Sequence, residues 1–301
     1  MAPRPSLLLL DSASMYFRTF HGVPDTVVAP DGSPVNAVRG FLDAVARLVT
    51  EYGPTRLVAA FDADWRPQWR VDLLPSYKEH RVATDGDEEV PDLLSPQVPV
   101  IEAALDALGI ARVGVAGFEA DDVLGTLCAE TDCPTDVVTG DRDLFQLVDD
   151  ARGIRVLYTG KGFARLDRVD EAWVRDKYGV AASQYADFAA LRGDPSDGLP
   201  GVPGVGDKTA AAVIQEVGSV DAVLAALADR SRELPARAKL GAAADYLAVA
   251  LDVVRVRTDV PLPDLDSRLS RGRVDRAQVS ALGERWGLTR SLDRVMAAMP
   301  A

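Results

Sequence analysis

Residues 6–11 read Ser-Leu-Leu-Leu-Leu-Asp, four leucines followed directly by an aspartate. A short apolar run of this kind is typical of a strand that is buried on both faces of a sheet. The pattern returns at residues 56–62, where an apolar run ends in Asp62. Three further apolar runs, separated by helical periodicity, predict strands at 110–115, 136–139 and 154–157 and helices at 34–52, 93–108 and 118–129. This alternation predicts an α/β fold whose largely parallel, twisted central sheet is covered by helices on both faces.

The second part of the chain has a different pattern. From about residue 170 the sequence is helical, without a convincing strand. We therefore expect an α/β core over residues 1–185 and a helical region over residues 186–301.

Composition and charge narrow the classes of function. The 301 residues include 33 basic and 46 acidic side chains, for a formal net charge of −13. Such a charge argues against a nucleic-acid partner, unless the acids surround divalent metal ions that reverse the local field. With two histidines and two cysteines, Cys128 and Cys133, the chain lacks the parts of a histidine-rich zinc site or a disulfide framework. No apolar run approaches the roughly 20 residues of a membrane helix, so we expect a cytoplasmic protein with no membrane partner.

Acidic side chains follow four of the predicted strands, and another pair lies in a later loop. Taken singly, each is explained as well or better by a helix N-cap, a first helical turn or a loop. Together, carboxylates at this density raise one another's pKa values unless a cation neutralises them. Oxygen ligands select hard cations, so we expect two or more Mg²⁺ or Mn²⁺ ions, as in phosphoryl-transfer enzymes. The candidate metal ligands are Asp11, Asp62, Glu119, Asp121, Asp122, Asp141, Asp143, Asp194 and Asp197.

Residues 76–81, Ser-Tyr-Lys-Glu-His-Arg, combine basic and aromatic side chains. Lys78 and Arg81 lie one helical turn apart and are candidates for contact with a phosphate, with Tyr77 beside them to stack on a base. An exposed basic helix face is the alternative explanation. Arg18, one helix after Asp11, could reach the same crevice, although an ordinary surface arginine is the simpler explanation.

Residues 199–210, Leu-Pro-Gly-Val-Pro-Gly-Val-Gly-Asp-Lys-Thr-Ala, form a glycine-rich turn that leads into a helix. Backbone N–H groups and the helix N-terminus can face a phosphate there, and the carbonyls could hold a monovalent cation. The stretch resembles a helix-hairpin-helix element, which binds the DNA backbone without reading its sequence. An ordinary tight turn between helices is the alternative. The candidate DNA-binding residues are Gly201, Val202, Gly204, Val205, Gly206, Lys208 and Thr209.

As a set, these motifs resemble those of bacterial 5′→3′ exonucleases and flap endonucleases, including the N-terminal nuclease domain of bacterial DNA polymerase I. The matching pieces appear in order between residue 6 and about residue 260. They are the strand ending in Asp11, Phe61-Asp62-Ala63, Tyr77-Lys78-x-x-Arg81, Glu119-Ala120-Asp121-Asp122, Thr139-Gly140-Asp141-Arg142-Asp143 and the segment from Gly193-Asp194 to Ala210.

The resemblance implies a 5′-nuclease fold of the PIN-like type, in which the nine acids bind the metal ions. A helical arch over about residues 66–99 would present Lys78 and Arg81 to the scissile phosphate, and Arg18 would assist. The helical region would bind duplex DNA, often with a potassium ion at the glycine-rich turn. The implied substrates are DNA with 5′ flaps, 5′ ends or single-strand/duplex junctions, cleaved to leave 5′-phosphates during replication and repair.

One stretch departs from the expected pattern, because the acidic residues 85–89 inside the presumed arch would repel DNA. Three other readings stay open at this point: a non-catalytic DNA-junction binder, an RNase of the related acidic-sheet type, and a small-molecule phosphatase. The first predicts the loss of an acid or of Lys78, and none is missing. The RNase usually lacks the arch and the glycine-rich turn, and a phosphatase leaves that turn unexplained. We expect a stand-alone, monomeric nuclease.

Overall fold

Six strands form one sheet at the centre of the computed structural model, which describes residues 6–83, 86, 88–229, 231 and 233–301. The strands are β1 (Leu7–Asp11), β2 (Arg56–Ala60), β3 (Ala111–Val113), β4 (Thr135–Thr139), β5 (Ile154–Tyr158) and β6 (Asp167–Val169). Their order is β3-β2-β1-β4-β5-β6, with all neighbours parallel except the antiparallel pair β5 and β6. The predicted parallel sheet is confirmed. Because the order reverses at β1, its carboxyl end and that of β4 flank the crevice where such sheets bind ligands.

Thirteen α-helices occur within the described residues. They are α1 (Ser12–Gly22), α2 (Asn36–Tyr52), α3 (Gln68–Leu73), α4 (Val98–Ala107), α5 (Ala120–Glu130), α6 (Glu171–Tyr178), α7 (Tyr185–Arg192), α8 (Asp207–Val217), α9 (Val220–Ala228), α10 (Arg237–Ala242), α11 (Ala244–Val254), α12 (Arg276–Trp286) and α13 (Thr289–Ala298). In this part of the chain no single helix has the length and apolar composition to cross a membrane; one bent pair, α8 with α9, meets those criteria only when combined.

Alternate residues of β1 face opposite sides of the sheet, as the two-residue period of a strand requires. Leu8 and Leu10 pack on one side with α2, α4 and the last two helices, whereas Leu7 and Leu9 pack on the other side with α5 and the helices that follow it. Since both faces are covered, the four consecutive leucines of this strand are all buried.

The last two helices, α12 and α13, pack against helices of the α/β core. Within the predicted helical region of residues 186–301, α13 packs along α2 and α12 contacts α4. Their apolar residues, among them Leu292 and Val295, share a core with Phe41 and Leu42. Residues 276–299 therefore pack with the α/β core and not with the glycine-rich turn.

The presumed arch contains little helix. Between residues 66 and 99, the described residues form the six-residue α3, short 3₁₀ turns at Glu79–Arg81 and Ser95–Gln97, and the first residues of α4. Lys78 has a left-handed backbone with φ of 48°, so Lys78 and Arg81 do not share one regular helix face. Part of the acidic stretch, residues 84, 85 and 87, lies outside the described residues.

The sequence pattern also missed β6. Asp167–Val169 is only three residues long and has one apolar side chain, so it lacks the alternation that identifies a strand. It is a strand because it pairs antiparallel with β5 at the edge of the sheet.

Candidate active site

An acidic cavity of about 210 Å³ opens at the carboxyl ends of four adjacent strands, β3, β2, β1 and β4. The strand ends themselves supply Asp11 and Asp62, and the segments that follow β3 and β4 supply the other acids. We call it the acid cavity and define it by the predicted site residues that line it: Asp11, Asp62, Glu119, Asp121, Asp141, Lys78 and Arg81. The prediction that strand-end acids meet at one edge of the sheet is confirmed.

Asp11 is held by donors on both sides. Its Oδ1 accepts a hydrogen bond from the Ser14 backbone N–H at 3.0 Å, and its Oδ2 accepts one from the Thr139 hydroxyl at 2.6 Å. It is therefore also the N-cap of α1. Burial raises the pKa of Asp11 to about 7, and the nearby charges of Asp62 and Asp141 push in the same direction.

Two further acids of the cavity share this excess of negative charge. The Asp62 Oδ1 accepts from the Ala120 N–H at 2.7 Å, at the start of α5, yet burial still raises its pKa. Burial raises the pKa of Asp121 well above its ordinary value, reinforced by Asp141 and Asp11. The basic side chains nearby do not offset the effects of burial and of neighbouring acids on these carboxyl groups. A site that binds a cation is expected to have this property.

Glu119 is the point where the arch segment meets this cavity. Its carboxylate accepts hydrogen bonds from Lys78, from Arg70 and from the Tyr77 hydroxyl, the last at 2.8 Å. Burial alone lowers the pKa of Lys78, but Glu119, together with Tyr77, Asp197 and Asp62, outweighs burial and holds that pKa well above its ordinary value. Lys78 is therefore a cation at the edge of the acid cavity.

Tyr77 is buried beside Glu119, and its base-stacking role stays a prediction. Its side chain is only 4% exposed, packs in the apolar core and donates its hydroxyl to Glu119. Through its hydroxyl, Tyr77 also holds Glu119 in place.

Arg70 is a site residue that the sequence analysis missed. It is 2% exposed and donates to Asp122 from both terminal nitrogens, at 2.7 and 2.6 Å, while its Nε donates to the Val253 carbonyl at 3.0 Å. Its guanidinium also stacks on Trp69, 4.3 Å from the ring centre. An arginine within a mixed basic and aromatic stretch gives no sequence signal that separates this buried role from surface exposure.

Asp122 does not join the acid cavity. It is fully buried, its two oxygens face Arg70, and its Oδ1 also accepts from the Arg257 N–H at 2.9 Å. These contacts leave it behind Glu119 and occupied by protein donors. Asp122 thus pairs with Arg70 in this structure, and its role as a metal ligand stays a prediction.

The remaining predicted acids form a second group, which we call the second acidic group: Asp143, Asp194 and Asp197. Burial raises the pKa of Asp143 well above its ordinary value, and its Oδ1 has no hydrogen-bond partner in the described part of the chain. Asp194 is paired with Arg142 and Arg192 at 3.2 and 3.3 Å.

Arg81 connects the two groups of acids. It lines the acid cavity and donates to Asp197 at 2.9 Å. The backbone of the two segments is also joined, because the Lys78 N–H donates to the Asp197 carbonyl at 2.9 Å. Gly198, with φ of 70°, allows this approach, since a Cβ there would lie 2.0 Å from the Ser76 carbonyl oxygen.

The donor chemistry of both acid groups fits hard divalent cations, because it is all oxygen and most of it is buried. Within the described ranges, however, no three acidic, histidine or cysteine side chains already form a metal site. Several of these oxygens already accept hydrogen bonds from protein donors such as Thr139, Lys78 and Arg81. Binding of an ion would therefore require the side chains to exchange these partners.

Arg18 and Glu88 differ from expectation. Arg18 does not line the acid cavity; it lines an adjoining groove together with His21 and Lys161. Glu88, from the acidic stretch of the arch, does line the cavity, and burial raises its pKa. The sequence predicts that this stretch repels DNA, but it gives no sign that Glu88 lies beside the acids of the cavity.

The glycine-rich turn separates into a buried and an exposed part. Gly201, Val202 and Val205 are buried, and the N–H groups of both valines donate to backbone carbonyls within the protein. Phosphate contact by these three residues stays a prediction. The Thr209 N–H donates to the Gly206 carbonyl. Gly204, Gly206 and Lys208 are exposed at the start of α8, where the first N–H groups of a helix lack intrahelical partners.

Two family models match two successive parts of the chain. The family model for the 5′-3′ exonuclease N-terminal resolvase-like domain matches residues 6–179, and that for the 5′-3′ exonuclease C-terminal SAM fold matches residues 180–277. A 5′-3′ exonuclease of Streptomyces coelicolor is 60% identical over 301 residues, covering 98% of this chain and 100% of that protein. A 5′-3′ exonuclease of Mycobacterium tuberculosis is 50% identical, with 98% of each chain covered.

Among solved structures, the fold is similar to that of the bacteriophage T5 D15 flap endonuclease, crystallised in a complex with DNA and metal ions. The TM-score is 0.64 at 15% sequence identity, over 97% of each chain. This likeness shows that the two chains share a fold.

Proposed function

The chain belongs to the 5′-3′ exonuclease family, and we propose that it is a structure-specific 5′ nuclease. It would hydrolyse DNA phosphodiester bonds at 5′ ends, at 5′ flaps and near single-strand/duplex junctions, leaving 5′-phosphates. The observation that carries this proposal is the acid cavity, where four adjacent strand ends bring acids together with Lys78 and Arg81. Acids and cations on one cavity suit a phosphate that is held between metal ions and basic side chains.

Two or more Mg²⁺ or Mn²⁺ ions would be held by Asp11, Asp62, Glu119, Asp121 and Asp141 in the acid cavity, by Asp122 behind Glu119, and by the second acidic group. Such ions, when bound, supply an activated water and stabilise the leaving oxygen. The raised pKa values of Asp11 and Asp121 support this proposal, because burial and the neighbouring acids make these carboxyl groups costly to ionise unless a cation is present.

The basic side chains position the strand. Lys78 lies at the mouth of the acid cavity with 11% of its side chain exposed, and Arg81 keeps 33% exposed. Both can turn from their carboxylate partners to a phosphate oxygen when ions neutralise those carboxylates. Glu119 remains oriented meanwhile, because Arg70 and Tyr77 still hold it.

The exposed end of α8 would bind the duplex through Gly204, Gly206 and Lys208. A potassium ion at this turn is a further proposal; the Gly204 carbonyl, which accepts from Lys239 at 2.8 Å, would have to exchange that partner. Comparing duplex affinity in K⁺ and in tetramethylammonium at equal ionic strength tests it. A single chain contains all of these parts, so we propose a monomer as the active form.

The test is cleavage of an end-labelled 5′-flap DNA, beside blunt duplex and single strands, in Mg²⁺, in Mn²⁺ and in EDTA. We expect metal-dependent cutting at or near the flap junction. Asp141→Asn should abolish cutting while flap binding persists, because Asp141 lines the cavity and not the α8 turn. Tight flap binding without cutting in either metal would instead support a non-catalytic junction binder. Preferential cutting of RNA would support the RNase alternative.

A further inference from the structure

A cavity of about 640 Å³ opens at the amino ends of β1 and β2, whereas the acid cavity lies at their carboxyl ends. Leu7, the first residue of β1, lines the former and Asp11, the last, lines the latter, so the two spaces lie about 13 Å apart along one strand. Among the described residues, the two spaces share no lining side chain. The volume is within the range of about 300–1,000 Å³ that is usual for ligand sites.

The floor of this cavity is apolar. Leu7 and Val58 are buried strand residues, and Leu127 on α5 and Leu262 and Leu265 on the segment after α11 lie half-buried beside them. All five belong to or pack against the apolar core on that face of the sheet. We call the space the amino-end cleft and define its floor by these five residues. A ligand with apolar side chains would cover the exposed parts of the three leucines and displace water from them.

The wall formed by the segment after α11 is fixed to the sheet. The Leu57 N–H donates to the Ser267 carbonyl at 2.8 Å, and the Leu269 N–H donates to the Thr55 carbonyl at 2.9 Å. The Nε of Arg56 also donates to the Ser267 hydroxyl at 2.9 Å. The cleft is therefore a preformed surface, and a ligand would not have to order this wall when it binds.

Three carboxylates surround the apolar floor. Glu130 is the last residue of α5, Asp132 follows it, and Asp264 lies on the opposite wall; all three residues are exposed. The lining of the cleft includes one cation, Arg56, which lies 3.8 Å from Asp132. Glu130 and Asp264 have no ion pair in the described part of the chain, and the nearby Arg152 donates to three carbonyls at the end of α5. The rim therefore presents an excess of negative charge to a ligand.

We propose that the amino-end cleft binds a peptide segment of a partner protein in which apolar side chains lie next to arginine or lysine. The apolar side chains would cover the floor, and the basic ones would pair with the carboxylates of the rim. The same rim disfavours DNA and anionic lipid surfaces, because both are polyanions. The site is independent of the proposed nuclease function, since it lies at the opposite ends of the strands. A partner can therefore be bound while the acid cavity is occupied.

The experiment compares three fluorescein-labelled tetrapeptides, blocked at both ends, by fluorescence anisotropy with the full chain in Mg²⁺. Their sequences are Arg-Leu-Leu-Arg, Glu-Leu-Leu-Glu and Arg-Ser-Ser-Arg. We expect the first to bind at least about tenfold more tightly than either of the others. The second peptide repels the rim, and the third leaves the leucines of the floor uncovered.

A pair of charge variants places the peptide on the protein. Glu130→Gln combined with Asp264→Asn should weaken binding of Arg-Leu-Leu-Arg by about tenfold, because each removes one exposed charge pair, worth up to a factor of about 5. Glu216→Gln combined with Asp252→Asn is the matched control, since it changes the net charge equally at two exposed acids outside the cleft. The control should bind this peptide as the wild type does. All four residues are exposed, so neither variant should disturb the fold.

Several results would overturn the proposal. Equal binding of the three peptides would do so, and so would an unchanged affinity in the cleft variant. Weaker binding of Arg-Leu-Leu-Arg to Asp141→Asn would place the peptide in the acid cavity instead. In sedimentation of the chain alone, a dimer that the cleft variant dissociates would assign the cleft to a second copy. Peptide binding only after removal of residues 1–5 would assign it to this chain's own first residues.

Discussion

Asp11 shows at the level of one residue how the acid cavity favours the neutral form of a buried carboxyl group. Its carboxylate receives two hydrogen bonds, yet burial and the neighbouring acids raise its pKa to about 7 from an ordinary 3.8. Between those values the folded protein keeps a proton that the unfolded chain releases. The contribution of Asp11 to stability is therefore present at low pH and is lost as the pH rises toward 7.

In metal-free protein, Asp11→Asn should remove the loss of stability that Asp11 causes as the pH rises toward 7. The free energy of unfolding of the variant, relative to the wild type, should increase by more than about 1.4 kcal/mol between pH 4 and pH 8, the equivalent of one pKa unit. Urea unfolding in EDTA across this range measures it. Any cost of replacing one hydrogen-bond acceptor by an amide is the same at each pH, so a difference that stays constant with pH would contradict the prediction.

Lys78→Ala should slow turnover far more than it weakens duplex binding. Lys78 lies at the acid cavity and contacts Glu119, whereas the duplex would bind at the start of α8. Single-turnover rates and dissociation constants on the same flap DNA measure the two effects. Lys208→Ala is the comparison, and it should weaken binding more than turnover; equal losses of rate and affinity in Lys78→Ala would reassign that lysine to docking.

At the scale of elements, one buried ion pair joins three parts of the chain. Arg70 on α3 binds Glu119 and Asp122 at the start of α5 and also the Val253 carbonyl on α11. Asp122 in turn accepts from the Arg257 backbone. The arch segment, α5 and the helical region thus meet at one guanidinium.

Arg70→Met should lower the free energy of unfolding by about 3–5 kcal/mol, because it leaves two buried carboxylates without their cation. Chemical denaturation at pH 7 measures this loss. The double variant Arg70→Met with Asp122→Leu should recover part of it, since one of the unpaired charges is then gone. A double variant less stable than Arg70→Met would show that Asp122 has another role.

Elements also show what the sequence can and cannot predict. Five of the six strands and the acids at their ends follow from short apolar runs, since each run lies within one buried strand. Neighbouring acids on one helix turn are harder to separate: Asp121 lines the cavity, whereas Asp122 faces Arg70. That choice depends on a partner about 50 residues away in the chain, and no local pattern encodes it.

At the scale of the whole molecule, the net charge of −13 is unevenly placed. Most of it lies in residues 1–198, which hold both groups of acids, whereas residues 199–301 are close to neutral. The acidic total therefore does not describe the surfaces where DNA is proposed to bind. In the proposed complex, the local charges at Lys78 and Lys208 would matter more than the total.

Duplex binding should weaken steeply as salt is added, because phosphate contacts release counterions. Lys208→Ala should reduce the slope of log affinity against log salt concentration by about 1, the value for one phosphate contact. Fluorescence anisotropy with a blunt duplex, measured in EDTA over a range of salt, determines both slopes. Arg290→Ala, at an exposed site on α13, should keep the wild-type slope; an unchanged slope in Lys208→Ala would remove that lysine from the interface.

The position of β1 at the middle of the sheet has a consequence for synthesis on the ribosome. One neighbour, β2, begins 45 residues after Asp11, but the other, β4, begins only at Thr135, and the face of α2 is covered by α13. Contacts this distant in sequence form slowly. A nascent chain therefore exposes the apolar face of α2 until residues 289–298 have left the exit tunnel, and chaperones that bind apolar segments would meet it during that interval.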